Sequence, residues 1–225
     1  MGVIPYSLST MLTMDNYQET FQTWDKLAPL YEELFMQLEL YEDSYVAFCA
    51  AVDKEDAAIL EVGCGPGNIT QRLLHHQPQF QITATDISPN MVAHAQKNNP
   101  TAHCLVWDAR ALGKLEGQFD GIMVGFTIPY LSVPDVVDLL ANSFTLLQQK
   151  GILYLSFVPG EYQASGYITG STGDRVYFYY HELEVLKKHL QENHFKLLTV
   201  LEKTYTRGNG QTEQHCILIA QKQTS

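Results

Sequence analysis

The sequence predicts an α/β fold: a doubly wound, mostly parallel seven-stranded sheet with helices on both faces and an antiparallel C-terminal hairpin. Three observations carry that prediction. Residues 57–74 read as a buried apolar strand, a glycine cluster and a helix start, the opening unit of a nucleotide-binding doubly wound sheet. From there to Val158, short apolar runs alternate with amphipathic stretches, which implies parallel strands joined by helices. Near the end, two strand-like runs flank Gly208-Asn209-Gly210, a strong hairpin signal.

The elements follow in order. Residues 15–51 form a helical preface, in which Phe21, Trp24, Leu27, Tyr31, Leu34 and Leu38 recur at three- and four-residue steps and mark one apolar face. A second helix covers 41–52 and ends in the charged turn Asp53-Lys54-Glu55-Asp56. After the first strand, Gly63, Gly65 and Gly67 supply backbone that accepts positive φ and lets a ligand approach closely. Asn68 opens a helix whose free N–H groups aim back at that loop. Residues 80–85 are the second strand, with Asp86 at its end, and Ser88-Pro89 starts a helix with an N-cap and a proline at N1. The third strand, 102–107, leads to Asp108-Ala109, and the fourth spans 119–125. A helix over 134–149 turns Val136, Leu140, Phe144 and Leu147 inward and stops at Gly151, before a fifth strand at 152–158. Residues 159–174, rich in Gly, Ser, Thr and Tyr, read as a long surface loop or lid, and 176–180 as a short extended segment. A helix at 181–193, with Leu183, Leu186 and Leu190 inward, precedes the hairpin strands 196–207 and 211–222.

Composition narrows the function. The 225 residues suit one larger domain (15–225) with a loose N-terminal arm (1–14), divided into a helical preface (15–56), a binding core (57–158) and a possible lid (159–181). Met1 to Tyr6 lacks the basic region of a signal peptide and has Tyr6 where myristoylation needs Ser or Thr; Met11 and Met14 are alternative starts. A net charge of -11 argues against a nucleic-acid partner, and no apolar run is long enough to span a membrane. Cys49, Cys64, Cys104 and Cys216 are scattered and read as reduced thiols of a cytoplasmic protein. No metal is expected. His75-His76, His94 and His103 lack ligand spacing, and Val185 stands where a zincin helix after His181-Glu182 would need its second histidine.

Glycine spacing separates the cofactors. A dinucleotide fingerprint would need glycine at position 68, where Asn68 sits, and this disfavours an NAD-dependent oxidoreductase. The run Glu61-Val62-Gly63-Cys64-Gly65-Pro66-Gly67 instead resembles motif I of the class I S-adenosylmethionine-dependent methyltransferases, of the small-molecule type. The resemblance extends in order and spacing over residues 57–222 and implies S-adenosylmethionine as cofactor. Asp86 stands about twenty residues beyond the loop, where a strand-end carboxylate accepts from the two ribose hydroxyls; a solvated helix cap is its alternative role. The resemblance assigns Glu61 and the backbone of Gly63, Cys64, Gly65 and Gly67 to the methionine end, with Gly125 and Phe126 on the opposite wall. It pairs Asp108 with the adenine amino group and the Ala109 N–H with a ring nitrogen, an exposed loop Asp being the alternative. Ile87 and Met91 join the cofactor set, as does Tyr31 on a helix that covers the cofactor or simply packs.

The activity expected is methyl transfer to a small-molecule acceptor, in which positioning does most of the work. The alternative is a catalytically silent protein that binds S-adenosylmethionine as a partner or sensor. The segment Val124–Tyr130 departs from the Asp/Asn-Pro-Pro-Tyr/Phe signature, which disfavours DNA-base and glutamine-amide acceptors. The acceptor wall is expected from Trp24, Tyr31, Tyr130 and the lid tyrosines Tyr162, Tyr167, Tyr177, Tyr179 and Tyr180. Tyr130 and His181 are the candidate bases, His181 equally a helix cap. The acceptor and the oligomeric state are not legible.

Overall fold

Helices α1 (Asn16–Phe35) and α2 (Glu42–Val52) precede β1 (Ala58–Val62) in a computed structural model that describes residues 15–170, 172–208 and 210–223. The expected arm, 1–14, and Asn209 of the expected turn lie outside the described residues. Strand and helix then alternate through α3 (Asn68–His76), β2 (Gln81–Asp86), α4 (Pro89–Asn98) and β3 (His103–Val106). The alternation continues with β4 (Phe119–Val124), α5 (Val133–Leu146) and β5 (Leu147–Phe157). A small hairpin of β6 (Gly166–Thr169) and β7 (Arg175–Phe178) leads through α6 (Leu183–Glu192) to β8 (Phe195–Thr206) and β9 (Thr212–Lys222).

Seven strands form the main sheet in the order β3-β2-β1-β4-β5-β9-β8. The first five are parallel, and β9 runs against both β5 and β8. Strand order reverses between β1 and β4, so a crevice opens beyond their carboxyl ends, where Gly63 and Gly125 lie. Both faces are covered. Leu60, Val62, Ile122, Val124 and Leu153 pack under α5 and α6, while Ile59, Ala84, Met123 and Tyr154 pack under α2, α3 and α4. Neighbouring strand residues thus serve opposite layers, as the strand period of two requires.

Three expectations change. α5 ends at Leu146, three residues short of the expected end, and Gly151 lies inside β5. The Lys222 ammonium donates to the carbonyls of Phe144 (2.6 Å) and Leu147 (2.7 Å), so a residue of β9 satisfies the helix end. Gln148 to Lys150 then bulge outward, and the β4–β5 ladder shifts register between Phe119 and Gly121.

The apolar stripe of α1 is not a core face. Leu34 is 60% exposed, and the buried positions are Thr20, Thr23 and Ala28. α1 is fastened by polar contacts instead. The Asp25 carboxylate accepts from Ser88 Oγ (2.6 Å), Glu32 accepts from Asn98 Nδ2 (2.6 Å), and the Thr23 hydroxyl donates to the Arg175 carbonyl (2.8 Å). The third change is in 159–181, which holds the β6–β7 hairpin. That hairpin is docked on α1 through the Tyr177 N–H to Thr20 Oγ1 (2.9 Å) and an Arg175–Glu19 ion pair (2.5 Å).

Gly67 is fixed by packing. Its φ is +86°, and a Cβ there would lie 2.3 Å from Asn99 Nδ2 and 3.0 Å from the Ala95 Cα. Gly67→Ala should therefore cost about 2–4 kcal/mol, from backbone strain plus overpacking, read as a lower midpoint in urea unfolding with an unchanged slope.

Candidate active site

The loop after β1 is tied to the end of β2. The N–H groups of Gly63 and Cys64 both donate to the Thr85 carbonyl (2.7 and 2.9 Å), and the Gly65 N–H donates to Asp86 Oδ2 (2.9 Å). Gly63 has φ +73°, and a Cβ there would sit 2.0 Å from Thr127 Oγ1. That hydroxyl donates to the Val62 carbonyl (2.7 Å), so the ends of β1 and β4 are knitted at the same point. Around Gly65 there is room: the nearest atom to an added Cβ is Tyr31 Cε1, at 3.6 Å.

A cavity of about 890 Å³ opens over this loop. Gly63, Gly65, Asp86, Ile87, Met91, Asp108, Ala109, Gly125 and Phe126 line it, and Tyr17, Thr20, Phe21, Trp24 and Tyr31 of α1 roof it. Ten of the expected cofactor positions therefore meet around one space, counting Tyr31 with the nine loop and strand-end residues. Asp86 Oδ1 accepts the Ser88 N–H (2.9 Å) while Oδ2 accepts that of Gly65, so its two expected roles coincide. Two N–H groups orient the carboxylate and leave lone pairs for ligand hydroxyls. Burial pushes its pKa up, against those N–H groups. Asp108 is held by Arg110, through Nη2 at 2.6 Å and Nε at 3.1 Å, and the guanidinium lies 4.1 Å from the Tyr17 ring centre. Arg110, Trp107 and Tyr17 are wall residues that the sequence reading missed. For Arg110 the signal was its place two residues after Asp108.

Three expected positions are elsewhere. Gly67 faces α4, as described, and Cys64 lines a neighbouring cavity. Glu61 is fully buried beneath the loop and lines neither cavity. Its Oε2 accepts from Thr70 Oγ1 (2.5 Å) and its Oε1 has no partner. Desolvation lifts its carboxyl to about 8, so it is protonated at neutral pH and braces the loop to α3.

The neighbouring cavity, about 900 Å³, shares Trp24, Tyr31, Gly63, Gly65, Gly125, Phe126 and Tyr130 with the first. Its remaining walls include Tyr41 and Tyr45, and Tyr205, Arg207, Glu213 and His215 of the C-terminal hairpin. The expected lid supplies only Phe178, beside Val158 at its base. Its tyrosines pack on one another and on α1: Tyr162 stacks on Tyr179 (6.2 Å), Tyr179 on Tyr17 (6.2 Å), and Tyr167 lies under Arg175 (4.0 Å).

His181 is not positioned as a base. It is 4% exposed, lines neither cavity, and its Nε2 lies 3.2 Å from the Ile128 carbonyl and 3.1 Å from that of Leu131. Carbonyls only accept, so Nε2 carries its hydrogen and braces the turn that presents Tyr130. Tyr130 does stand on the shared wall, with its ring edge-on to Trp24 (5.6 Å). Burial drives its hydroxyl pKa far upward, which makes it a hydrogen-bond donor at neutral pH and not a phenolate.

A family model described as a methyltransferase domain matches residues 59–151, the stretch that builds the loop, Asp86 and Asp108. That stretch resembles a methyltransferase domain, and the sheet around it is the class I methyltransferase fold. A malonyl-acyl-carrier-protein O-methyltransferase of Bacillus cereus is 37% identical over 102 residues, 44% of this chain and 36% of that one. A trans-aconitate 2-methyltransferase of Enterobacter sp. is 36% identical over 95 residues, 42% of this chain and again 36% of the relative. The match thus spans about a third of the length of these curated relatives. In fold, this chain superposes on the magnesium protoporphyrin IX methyltransferase of Synechocystis PCC 6803 with bound S-adenosylmethionine at a TM-score of 0.72. That likeness, at 17% identity, covers 95% of this chain and all of the other and concerns architecture.

S-adenosylmethionine, the family's cofactor, fits the first cavity. The open cradle at Gly65, the pre-oriented carboxylate of Asp86 for vicinal hydroxyls, and the apolar Ile87 and Met91 suit a nucleoside. Asp86→Ala should weaken S-adenosylhomocysteine binding by about 1.5–3 kcal/mol, roughly ten- to a hundredfold by calorimetry, without unfolding the protein. Glu61 generates a pH prediction. Its folded pKa is raised, so its contribution to stability is complete below the ordinary carboxylate range and is lost as pH rises through about 8. Glu61→Gln should flatten that fall in urea titrations between pH 5 and 9 and leave the variant more stable than wild type at the alkaline end.

Proposed function

We propose that this methyltransferase moves a methyl group from S-adenosylmethionine to a small molecule held in the second cavity. One observation supports it above the others: the two cavities meet across seven shared wall residues, at the point where β1 and β4 end. Ligands in the two spaces face each other there. The cofactor supplies a methyl group already activated on a sulfonium. The chain's own part is then alignment and exclusion of water, for which Trp24, Tyr31, Phe126 and Tyr130 provide an aromatic collar.

The matched stretch does not carry the relatives' acceptors over to this chain. Their names refer to malonyl-acyl-carrier protein and trans-aconitate. Tyr41, Tyr205, Arg207, Glu213 and His215, which shape the second cavity, all fall outside the matched stretch 59–151. A net charge of -11 favours a small acceptor over nucleic acid, and no helix among the described residues is long and apolar enough to cross a membrane. All four cysteines are free thiols, in keeping with a cytoplasmic location.

S-adenosylmethionine and S-adenosylhomocysteine should each raise the melting temperature, a ligand at a hundred times its Kd adding about 2.7 kcal/mol. A flat thermal response to both at millimolar concentration, on folded protein, overturns the reading.

A further inference from the structure

The second cavity contains an ordered chain of hydrogen bonds whose members do not line the first. Glu213 Oε1 lies 3.0 Å from His215 Nε2, and His215 Nδ1 lies 2.6 Å from the Tyr41 hydroxyl. A carboxylate only accepts, so Nε2 carries the imidazole hydrogen; Nδ1 is then bare and accepts from the Tyr41 O–H. The direction of every bond is fixed, and the Tyr41 oxygen keeps lone pairs for a ligand hydroxyl. This is a carboxylate–imidazole–hydroxyl arrangement in which the carboxylate sets the tautomer.

The imidazole is held rigidly. His215 is 6% exposed, stacks on Tyr205 (5.1 Å, 18°) and lies nearly coplanar with the Tyr41 ring that it hydrogen-bonds (5.9 Å, 10°), with Phe126 at 4.9 Å. The charged groups around it are few. Arg207 pairs with the other oxygen of Glu213 (2.5 Å), and Lys203, opposite His215 in the ladder, turns to Asp43 (2.5 Å).

We propose that Tyr41, His215 and Glu213 form a proton relay, and that the methyl acceptor is a planar phenol or enol whose hydroxyl the relay deprotonates. The proposal rests on the methyl-transfer reading above. Flatness follows from walls of Trp24, Tyr45, Phe126, Phe178 and Tyr205. The acidic hydroxyl follows from charge. Arg207 is the one lysine or arginine among the described residues lining this cavity, and Glu213 already neutralises it, so a carboxylate acceptor finds no free counter-ion. Burial lowers the His215 pKa below its ordinary value, and so weak a base accepts a proton from a phenol far more readily than from an alkyl alcohol.

The balance closes. The acceptor's hydroxyl proton passes to the Tyr41 oxygen as the Tyr41 proton passes to His215 Nδ1. Tyr41 ends neutral, and the imidazolium ends paired with the Glu213 carboxylate. The freed electron pair on the acceptor oxygen takes the methyl carbon, and the pair of the broken carbon–sulfur bond stays on sulfur. Tyr41 is the catalytic residue; His215 acts through it, and Glu213 positions His215.

The probe is 7-hydroxycoumarin, whose phenolate absorbs apart from its phenol, titrated into the full chain with and without S-adenosylhomocysteine below the probe's free pKa. Wild type should bind it and show the phenolate band. Tyr41→Phe and His215→Asn should each lose that band at least tenfold while binding S-adenosylhomocysteine within twofold of wild type. In wild type, nitrogen-15 NMR should find His215 protonated at Nε2 and bare at Nδ1, a readout that does not depend on how the variants fold. No binding of the probe, a bound probe that stays neutral, an unchanged band in both variants, or a hydrogen on Nδ1 would each overturn the relay. Calorimetry with S-adenosylhomocysteine judges the methyl-donor reading separately.

Discussion

The Thr85 carbonyl is the fixed point of the site. It accepts the N–H groups of both Gly63 and Cys64, which hangs the loop of β1 on the end of β2 before either strand gives way to its helix. This geometry demands positive φ at Gly63, Gly65 and Gly67, a conformation that costs a side-chain-bearing residue about 1 kcal/mol or more. With the loop in that place, the Gly65 N–H reaches Asp86, Thr127 reaches β1, and the start of α3 points at the cavity. Glu61 closes the arrangement from below, as a neutral carboxyl that accepts from Thr70 without leaving a buried charge.

Upon this rigid floor sits a roof of different construction. α1 has little core of its own, because Thr20, Thr23 and Ala28 are its buried positions while Tyr17, Phe21, Trp24 and Tyr31 face the cavities. Its attachments to α4 and β7 are hydrogen bonds and exposed ion pairs such as Lys26–Asp174 and Arg175–Glu19. Each exposed pair contributes only about 0–1 kcal/mol. The aromatic face of α1 thus lines the cavities, and the β6–β7 hairpin buttresses this helix from behind, giving only Phe178 to the second cavity.

The two halves of the site differed in how legible they were. The cofactor half is local: a loop at 63–67, a carboxylate at 86 and another at 108, each at the end of a successive parallel strand. Strand ends are readable from apolar runs, and a parallel sheet brings all such ends to one edge. Glu61 and Gly67 fell within the same motif but turned inward, because spacing along a chain does not tell a ligand contact from a packing contact. The helix end near Gly151 was misread for a similar reason: Lys222, seventy-odd residues away, supplies the cap.

The second cavity was illegible because it is assembled from both ends of the chain. Tyr41 lies at the start of α2 and His215 in β9, 174 residues apart, yet they share a hydrogen bond because β9 inserts between β5 and β8. An alternating strand pattern says which residues share a face, not which cavity that face meets. The tyrosines of 159–181 looked like a pocket wall by composition, and His181 like a base by type, but burial assigned them to packing and to two backbone carbonyls. By itself the sequence determined the doubly wound sheet and the floor of the cofactor site, since both follow from local periodicity and from glycines that local geometry requires. The tertiary structure alone decided the second cavity, since hydrogen-bond partners distant in sequence are chosen by strand order and burial.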